Sequence, residues 1–119
     1  MVKVKFDYSE DKRSIVLAVN GHAGYEDRGK DIICSASSIL AYTVAQCVSD
    51  LHKDGKLLKK PTIKLDKGNA KIVCKPTEDA YVETLHVFFV AERGYALLAS
   101  NYPEYVRLKP FGRGEEEAS

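Results

Sequence analysis

The order in which the hydrophobic pattern changes along the chain is the strongest constraint on its fold. "VKVKFDY", residues 2–8, alternates apolar and polar residues, which is the pattern of a half-buried strand. "SIVLAVN", residues 14–20, predicts a second strand, and the polar residues between the two favour a hairpin. "TIKLDKGNAKIVCKP", residues 62–76, predicts another hairpin with its turn at "DKGN".

Helical periodicity follows each hairpin. Residues 21–33 contain three glycines and predict a loop. Apolar residues then recur at spacings of three and four from Cys34 to Lys53, which predicts a first helix. A second helix is predicted from Glu78 to about Ser100, although Gly94 disfavours it. The predicted core residues of the two helices are Ala36, Leu40, Val44, Cys47, Val48 and Leu51, and Tyr81, Leu85, Phe88, Phe89, Ala96 and Leu98.

With a last short strand over residues 105–111, the order is ββαββαβ. Hairpins combined with helices predict an α+β domain of two layers, in which two helices pack on a mostly antiparallel sheet. A chain of 119 residues is expected to form one domain, here residues 1–111. The segment 112–119, "GRGEEEAS", lacks a hydrophobic cluster and predicts a flexible acidic tail.

Charge and leader patterns limit the partners and the compartment. The formal net charge of +1 gives no global electrostatic reason to expect nucleic acid or a membrane. The N-terminus has no apolar signal core, and no apolar run approaches the length of a membrane span. Three cysteines without a CxxC pair suggest neither a disulfide framework nor a structural zinc site. The sequence therefore predicts a cytoplasmic protein without a direct nucleic-acid or membrane partner.

The stretch "GHAGYEDRGKDIICSASSIL", residues 21–40, carries the residues capable of chemistry. Cys34 is expected at or near the first turn of the first helix, where the partial positive charge stabilises a thiolate. The imidazole of His22 can take the thiol proton or pair with the thiolate. The eleven residues between them can fold back, so the geometry of a thiol protease is possible. The residues alone do not show that the two side chains meet.

Each of these residues also has an ordinary structural role. A cysteine on a helix is most often a small buried hydrophobe, and both Cys47 and Cys74 are expected in the core. Asp31 is interpreted first as a helix cap, a role that Ser35 could also fill. Orientation of His22 or binding of a substrate amine are the alternatives for Asp31. Ser38 lies one turn after the candidate nucleophile, either as a small residue that permits close packing or as a hydroxyl that lines the site.

The remaining metal-binding residue types offer little. His52 and His86 fall on predicted helices without an evident partner, so a solvated or capping role is expected. His22, Asp31 and Cys34 could in principle hold zinc as three ligands. Their spacing matches no recognised zinc pattern, which makes a metal site the weaker hypothesis.

The stretch resembles the signature of the Prp family, the ribosomal-processing cysteine proteases of Firmicutes and relatives. The family pattern is roughly Gly-His-Ala, a short loop, Gly-x-Asp-(Ile/Val)-x-Cys, then a small residue and Ser-x-(Leu/Ile). Ser35 stands where a small alanine is common, and the remaining chain resembles the family mainly in length and element order. The matching residues are Gly21, His22, Ala23, Gly29, Asp31, Ile32, Cys34, Ser38 and Leu40.

What the resemblance implies is a cytoplasmic, homodimeric cysteine protease without a cofactor or metal. Such enzymes remove a short N-terminal extension, ending in hydrophobic residues, from the twenty-seventh large-subunit ribosomal protein. Residues 23–33 would be a mobile lid over the substrate. Carried over residue by residue, the resemblance makes Cys34 the nucleophile and His22 the general base. Asp31 and Ser38 are then supporting residues, and Gly21 and Gly29 are structural. The backbone amides around Cys34 and Ser35 are candidates for the oxyanion hole.

Two other functions stay open. Some phages use related enzymes on capsid or scaffold proteins with a similar extension, and a phage-borne copy would look like this chain. The same fold could also serve as a non-enzymatic ribosome-associated binding module, with Cys34 as a packing residue.

Overall fold

The computed structural model of the chain describes residues 1–9, 13–21, 28–66 and 68–112, and within these it contains five strands and two helices. The order ββαββαβ and the α+β class are confirmed. The elements are β1 (Val2–Ser9), β2 (Ser14–Asn20), α1 (Arg28–Lys53), β3 (Thr62–Asp66), β4 (Asn69–Cys74), α2 (Tyr81–Asn101) and β5 (Val106–Lys109). The predicted tail, apart from Gly112, lies outside the described residues.

The strands form one sheet in the order β3-β4-β2-β1-β5. The two hairpins pair antiparallel, and β2 joins them by pairing with β4. Strand β5 pairs parallel with β1, with Val106 opposite Val2. A parallel neighbour requires a crossover connection, which α2 provides. The prediction of a mostly antiparallel sheet is confirmed.

Only one face of the sheet is apolar, and both helices cover it. Val4, Leu17 and Ile72 point from neighbouring strands into the core, and each is at most 2% exposed. The Cα atoms extend over 44 × 35 × 17 Å, and the short dimension is that of one helix layer on one sheet. On the opposite face, the charged side chains of the described strands are exposed.

The predicted core of the helices is confirmed in part. Val44, Val48, Leu51, Phe88 and Leu98 are buried. The other predicted core residues are half-buried, because they lie at the edges of the helix faces: Ala36, Leu40, Cys47, Tyr81, Leu85, Phe89 and Ala96. The buried face of α2 also contains residues that periodicity passed over, namely Thr84, Ala91, Glu92 and Tyr95.

Helix α1 begins at Arg28, six residues before the predicted start at Cys34. The prediction of a loop over residues 21–33 is therefore wrong from residue 28 onward. The polar residues and Gly29 of this segment hide its helical character, and tertiary packing decides it, because Ile33 is fully buried. Helix α2 begins at Tyr81, since residues 78–80 form a turn before it.

Gly94 does not interrupt α2. A Cβ atom at this position would lie 2.8 Å from Cδ2 of Leu40, so the glycine lets α1 approach α2 closely. The helix tolerates the glycine because its missing side chain makes room for a neighbouring one.

The segment Ile32–Lys53 is long and apolar enough, by length and composition alone, to cross a membrane. The expectation that no run approaches such a length is therefore wrong. A third of the segment is buried inside the protein, and its Val44 and Val48 belong to the core. Core helices of globular proteins share this composition.

Candidate active site

Cys34 lies in the second turn of α1, half-buried against the hydrophobic core. The sequence predicts Cys34 at or near the first turn, and it lies just beyond that turn because the helix begins at Arg28. The partial positive charge of a helix N-terminus is concentrated in the first turn. The backbone amides of Cys34 and Ser35 lie beyond the first four residues and are used in intrahelical hydrogen bonds, which does not suit an oxyanion hole in this conformation.

A buried hydrogen bond fixes the part of α1 that carries Cys34. The hydroxyl of Tyr95, on α2, donates to the carbonyl oxygen of Ser37 over 2.7 Å. The Tyr95 ring is fully buried and meets Phe6 edge-on, with ring centroids 5.9 Å apart. Burial raises the pKa of Tyr95 to about 12, so the hydroxyl stays protonated and able to donate. Sequence periodicity missed Tyr95 and Ser37, and only the paired packing of two helices reveals them.

The two serines of the predicted site face solvent. Ser38 lies one turn after Cys34 and is exposed, so it is available to a bound peptide rather than used in close packing. Ser37 is the small residue that is buried instead, at 5% exposure. Ser35 is also exposed, and its alanine-to-serine difference from the family pattern places a hydroxyl in solvent.

Gly21 ends β2 in a conformation that favours glycine. Its φ is +98°, in the left-handed region, and its N–H donates to the carbonyl of Gly68 over 2.8 Å. A Cβ atom here would collide with the carbonyl oxygen of Met1. The chain therefore enters the segment that begins with His22 from a firmly held position.

For the other predicted site residues the structure gives the backbone position at most. Asp31 and Gly29 lie inside α1, so the prediction of Asp31 as a helix cap is wrong, because a cap residue has non-helical backbone. Ser35, the alternative cap, is also helical. His22 and residues 23–27 of the predicted lid 23–33 lie outside the described residues, so the meeting of His22 with Cys34 stays a prediction. Residues 28–33 of that lid belong to α1, so the prediction of a loop is wrong for this part.

Burial distinguishes the thiols. All three cysteines are free; Cys34 and Cys47 are half-buried, and Cys74 is buried as predicted. Burial raises the pKa of the Cys74 thiol to about 12. Within the described part of the chain no group of three His, Cys, Asp or Glu residues could hold a metal. The zinc hypothesis for His22, Asp31 and Cys34 is not tested by this, because His22 lies outside the described residues. His52 and His86 are exposed, as expected.

A surface groove of about 310 Å³ lies at the other end of α1, lined by Ser49, His52, Lys53, Lys60, Pro61 and Ile63. Ser49 follows Cys34 by fifteen positions on α1, a distance of about 22 Å along the helix axis. The groove is therefore not a binding site for the reacting part of a substrate.

Comparison with protein families decides the identity of this arrangement. The model of the cysteine protease Prp family matches residues 1–107, which include both ends of the motif. The chain belongs to the cysteine protease Prp family. It is accordingly a cysteine protease, and as a Prp-family chain it acts on peptide substrates.

Solved structures share the fold of this Prp-family chain. A ribosomal processing protease Prp from Staphylococcus aureus, in complex with a substrate peptide, has a TM-score of 0.67 at 16% identity, covering 92% of this chain and 99% of that one. The same protease with a covalently linked product peptide gives 0.66 at 17%, with the same coverage. SMU.848 from Streptococcus mutans gives 0.66 at 22%, covering 93% and 94%. No curated protein sequence matches significantly.

Proposed function

We propose that this chain is a Cys34–His22 peptidase that removes the N-terminal extension of the twenty-seventh large-subunit ribosomal protein. The observation that carries the proposal is the family match over residues 1–107, which spans the complete Gly-His-Ala to Cys motif. The Staphylococcus aureus Prp with the same fold is a ribosomal processing protease, solved with a substrate peptide and with a covalently linked product peptide, which supports the substrate class.

In the proposed reaction, the Cys34 thiolate attacks the scissile carbonyl and a C–S bond forms. His22 first takes the thiol proton and then gives it to the leaving amine. Water next attacks the acyl-enzyme, releases the carboxylate product and restores the thiol. Asp31 is proposed to support His22 or the substrate, and Ser38, exposed one turn from Cys34, to contact the peptide.

The fixed end of α1 supports this assignment. A nucleophile has to be held in place relative to its substrate, and the Tyr95–Ser37 hydrogen bond holds the helix three residues from Cys34. The glycine before His22 is fixed by its own hydrogen bond. His22 therefore follows an anchored residue, Gly21, and Cys34 lies three residues from another, Ser37. The segment between the two catalytic residues is proposed to face the substrate.

The decisive experiment is cleavage of a peptide that spans the N-terminal extension of the ribosomal protein from the same organism, read by mass spectrometry. We expect Cys34→Ala and His22→Ala to abolish cleavage. Cys47→Ala is the matched thiol control on the same helix, and His52→Ala is the matched histidine control. Both control variants should keep full activity.

The outcomes separate the alternatives. Cleavage that survives in Cys34→Ala would refute the proposed nucleophile. A folded protein that cleaves capsid or scaffold extensions instead of the ribosomal peptide would be the phage type of enzyme. A protein that cleaves neither and whose Cys34 resists alkylation would be a binding module.

We also propose that the protein is a homodimer. Both helices cover the same face of the sheet, so their outer surfaces lie on the same side of the molecule. That side exposes large apolar side chains: Ile39 of α1 is 60% exposed, and Val90 and Leu97 of α2 are 72% and 65% exposed. An exposed apolar patch of this kind marks an interaction surface.

The proposed domain is residues 1–111, with 112–119 as a flexible acidic tail. Phe111 supports this boundary, because it is buried and its ring meets Phe6, Tyr8 and Phe89. A cytoplasmic location is part of the same proposal, since a protease of this substrate class has to meet ribosomal proteins where ribosomes assemble.

A further inference from the structure

The face of the sheet opposite the helices is strongly basic. Strand residues alternate between the two faces, and the odd-numbered positions of β1 point away from the core. On this open face the described strands carry six basic residues and two acidic ones, a net charge of +4, whereas the whole chain has +1. All eight are exposed: Lys3, Lys5, Lys64, Lys71, Arg107, Lys109, Asp7 and Asp66.

Strand register places four of the lysines in one line across the sheet. Lys64 of β3 is opposite Lys71 of β4, Lys71 is opposite Ala18 of β2, Ala18 is opposite Lys5 of β1, and Lys5 is opposite Lys109 of β5. Neighbouring strands are about 4.8 Å apart, so the line spans about 19 Å. A surface of this length can contact several negative charges at once.

The arrangement opposes the stability of the sheet. Lys64 with Lys71, and Lys3 with Arg107, are like-charge pairs directly opposite each other on neighbouring strands. Such pairs destabilise a sheet. The carboxylate of Asp7 meets Lys5, with Oδ2 and Nζ 4.0 Å apart, and offsets only part of this charge. A bound polyanion would offset the repulsion between these basic side chains, because each of them would then lie beside a negative charge.

We propose that this open face binds the phosphate backbone of double-stranded RNA. At the centre of the face lie the short, half-buried side chains of Val16, Ala18 and Val73. A sheet of five strands is too broad to enter the major groove of DNA, which admits a helix or a two-stranded ribbon. It fits the wide, shallow minor groove of an RNA helix, where recognition uses phosphates and 2′-hydroxyls.

The chemistry of the face excludes other ways of binding. The described strand positions on this face carry no aromatic residue on which an unpaired base could stack. They also present no protruding apolar side chain that would enter a lipid bilayer. The inference concerns a surface separate from the helix that carries Cys34 and goes beyond the proposed function. The net charge of +1, which predicts no nucleic-acid partner, averages over two unlike faces.

The test measures binding of a labelled RNA duplex to the full chain by fluorescence anisotropy at 50 and 200 mM salt. We compare Lys5→Gln/Lys64→Gln/Lys71→Gln with the control Lys53→Gln/Lys59→Gln/Lys60→Gln, which removes three exposed lysines elsewhere. The face variant should lose about tenfold in affinity or more, and its slope of log K against log salt should flatten by about 2. The control should stay within about threefold of the unchanged protein.

Three results would overturn the proposal: equal losses in both triple variants, no RNA binding at 50 mM salt, or equally tight binding of a DNA duplex or of anionic lipid vesicles. Cleavage of the short peptide should be unchanged in the face variant. The two proposals can therefore fail independently. A thermal melt should show the face variant no less stable than the unchanged protein, because it relieves the Lys64–Lys71 repulsion.

Discussion

At the scale of single residues, the thiols differ in their exposure to solvent and reagents: Cys34 and Cys47 are half-buried, and Cys74 is buried. Cys74 is 2% exposed on the inner face of β4, and burial raises the pKa of its thiol to about 12. At pH 8 roughly one in ten thousand such thiols is ionised. Cys34 is only half-buried and sits on a helix surface. A difference in accessibility thus separates the proposed nucleophile from a core residue.

We predict that iodoacetamide at pH 8 modifies Cys34 in the folded protein and leaves Cys74 unmodified. The thiolate is the reacting species, and Cys74 has neither the charge nor the exposure to react. Peptide mass mapping measures both sites after a timed reaction. In urea all three cysteines should react, which provides the control. Modification of Cys74 at a similar rate with and without urea would contradict the buried position of its side chain.

Gly21 is a residue where the backbone itself demands glycine. Gly21→Ala should destabilise the protein by more than the ~1–2 kcal/mol that a left-handed conformation costs an L residue, because the new Cβ also collides with Met1. Gly55→Ala is the matched control: its φ is +74°, but its added Cβ would meet no atom within 4 Å. Urea unfolding of the two variants measures both costs, and equal losses would show that the collision at Gly21 is relieved by movement.

At this scale, the residues that could be predicted from the sequence are those that a local pattern marks. The motif from Gly21 to Ser38 and the inward position of Cys74 could be read directly from residue types and alternation. Tyr95 and Ser37 could not, because neither is unusual in its own helix. Their importance comes from a contact between positions 58 residues apart.

At the scale of elements, α1 depends on α2 for the placement of its first half. The Tyr95–Ser37 hydrogen bond is buried, and Leu40 fills the space beside Gly94. Periodicity placed the middle of α1 correctly and missed its first six residues. Charged residues and Gly29 there carry no apolar period, and burial of Ile33 compensates for their weak propensity. Likewise, no local pattern states that β5 runs parallel to β1.

We predict that Tyr95→Phe lowers stability by about 1 kcal/mol at pH 7, since it removes one buried hydrogen bond. It should also lower kcat more than it raises KM, because the helix that carries Cys34 loses an anchor while the peptide-contacting side chains remain. Tyr42→Phe, at an exposed tyrosine of α1, is the control and should change neither quantity. Urea unfolding and peptide cleavage give the two readings.

The same variant has a signature in alkaline solution. The pKa of Tyr95 in the folded protein, about 12, lies above its ordinary value of 10.0, so the unfolded chain ionises first. Stability therefore falls as the pH rises from about 10 towards 12. Tyr95→Phe should show a shallower fall over this range than the unchanged protein. Parallel curves for the two proteins would mean that Tyr95 does not titrate in this way.

At the scale of the whole molecule, two sides of the protein differ in character. The helix side exposes apolar residues, and the described strands of the open sheet face carry a net charge of +4. Overall composition, with a net charge of +1, conceals this division. The fold class could be predicted from the order of elements, whereas the distribution of charge over two faces required the strand register.

The exposed apolar side predicts the oligomeric state. Leu97→Lys should shift the proposed dimer towards monomer, because a buried lysine in an apolar interface is costly. Leu58→Lys is the control, with a similar exposure of 61% but a position outside both helices. Light scattering after gel filtration gives the mass of each variant. A dimer that withstands Leu97→Lys would place the interface elsewhere.

Because β5 pairs with β1, the sheet cannot be completed until β5 has been synthesised. Strand β1 pairs with β2 within a few residues, but its other edge has to await β5, about 100 residues later. At synthesis rates of about 5–20 residues per second, that edge stays open for roughly 5 to 20 s on every nascent chain. During this interval the unpaired edge can accept a strand from another chain. The completeness of the sheet therefore depends on the four residues of β5, which are synthesised after the other four described strands.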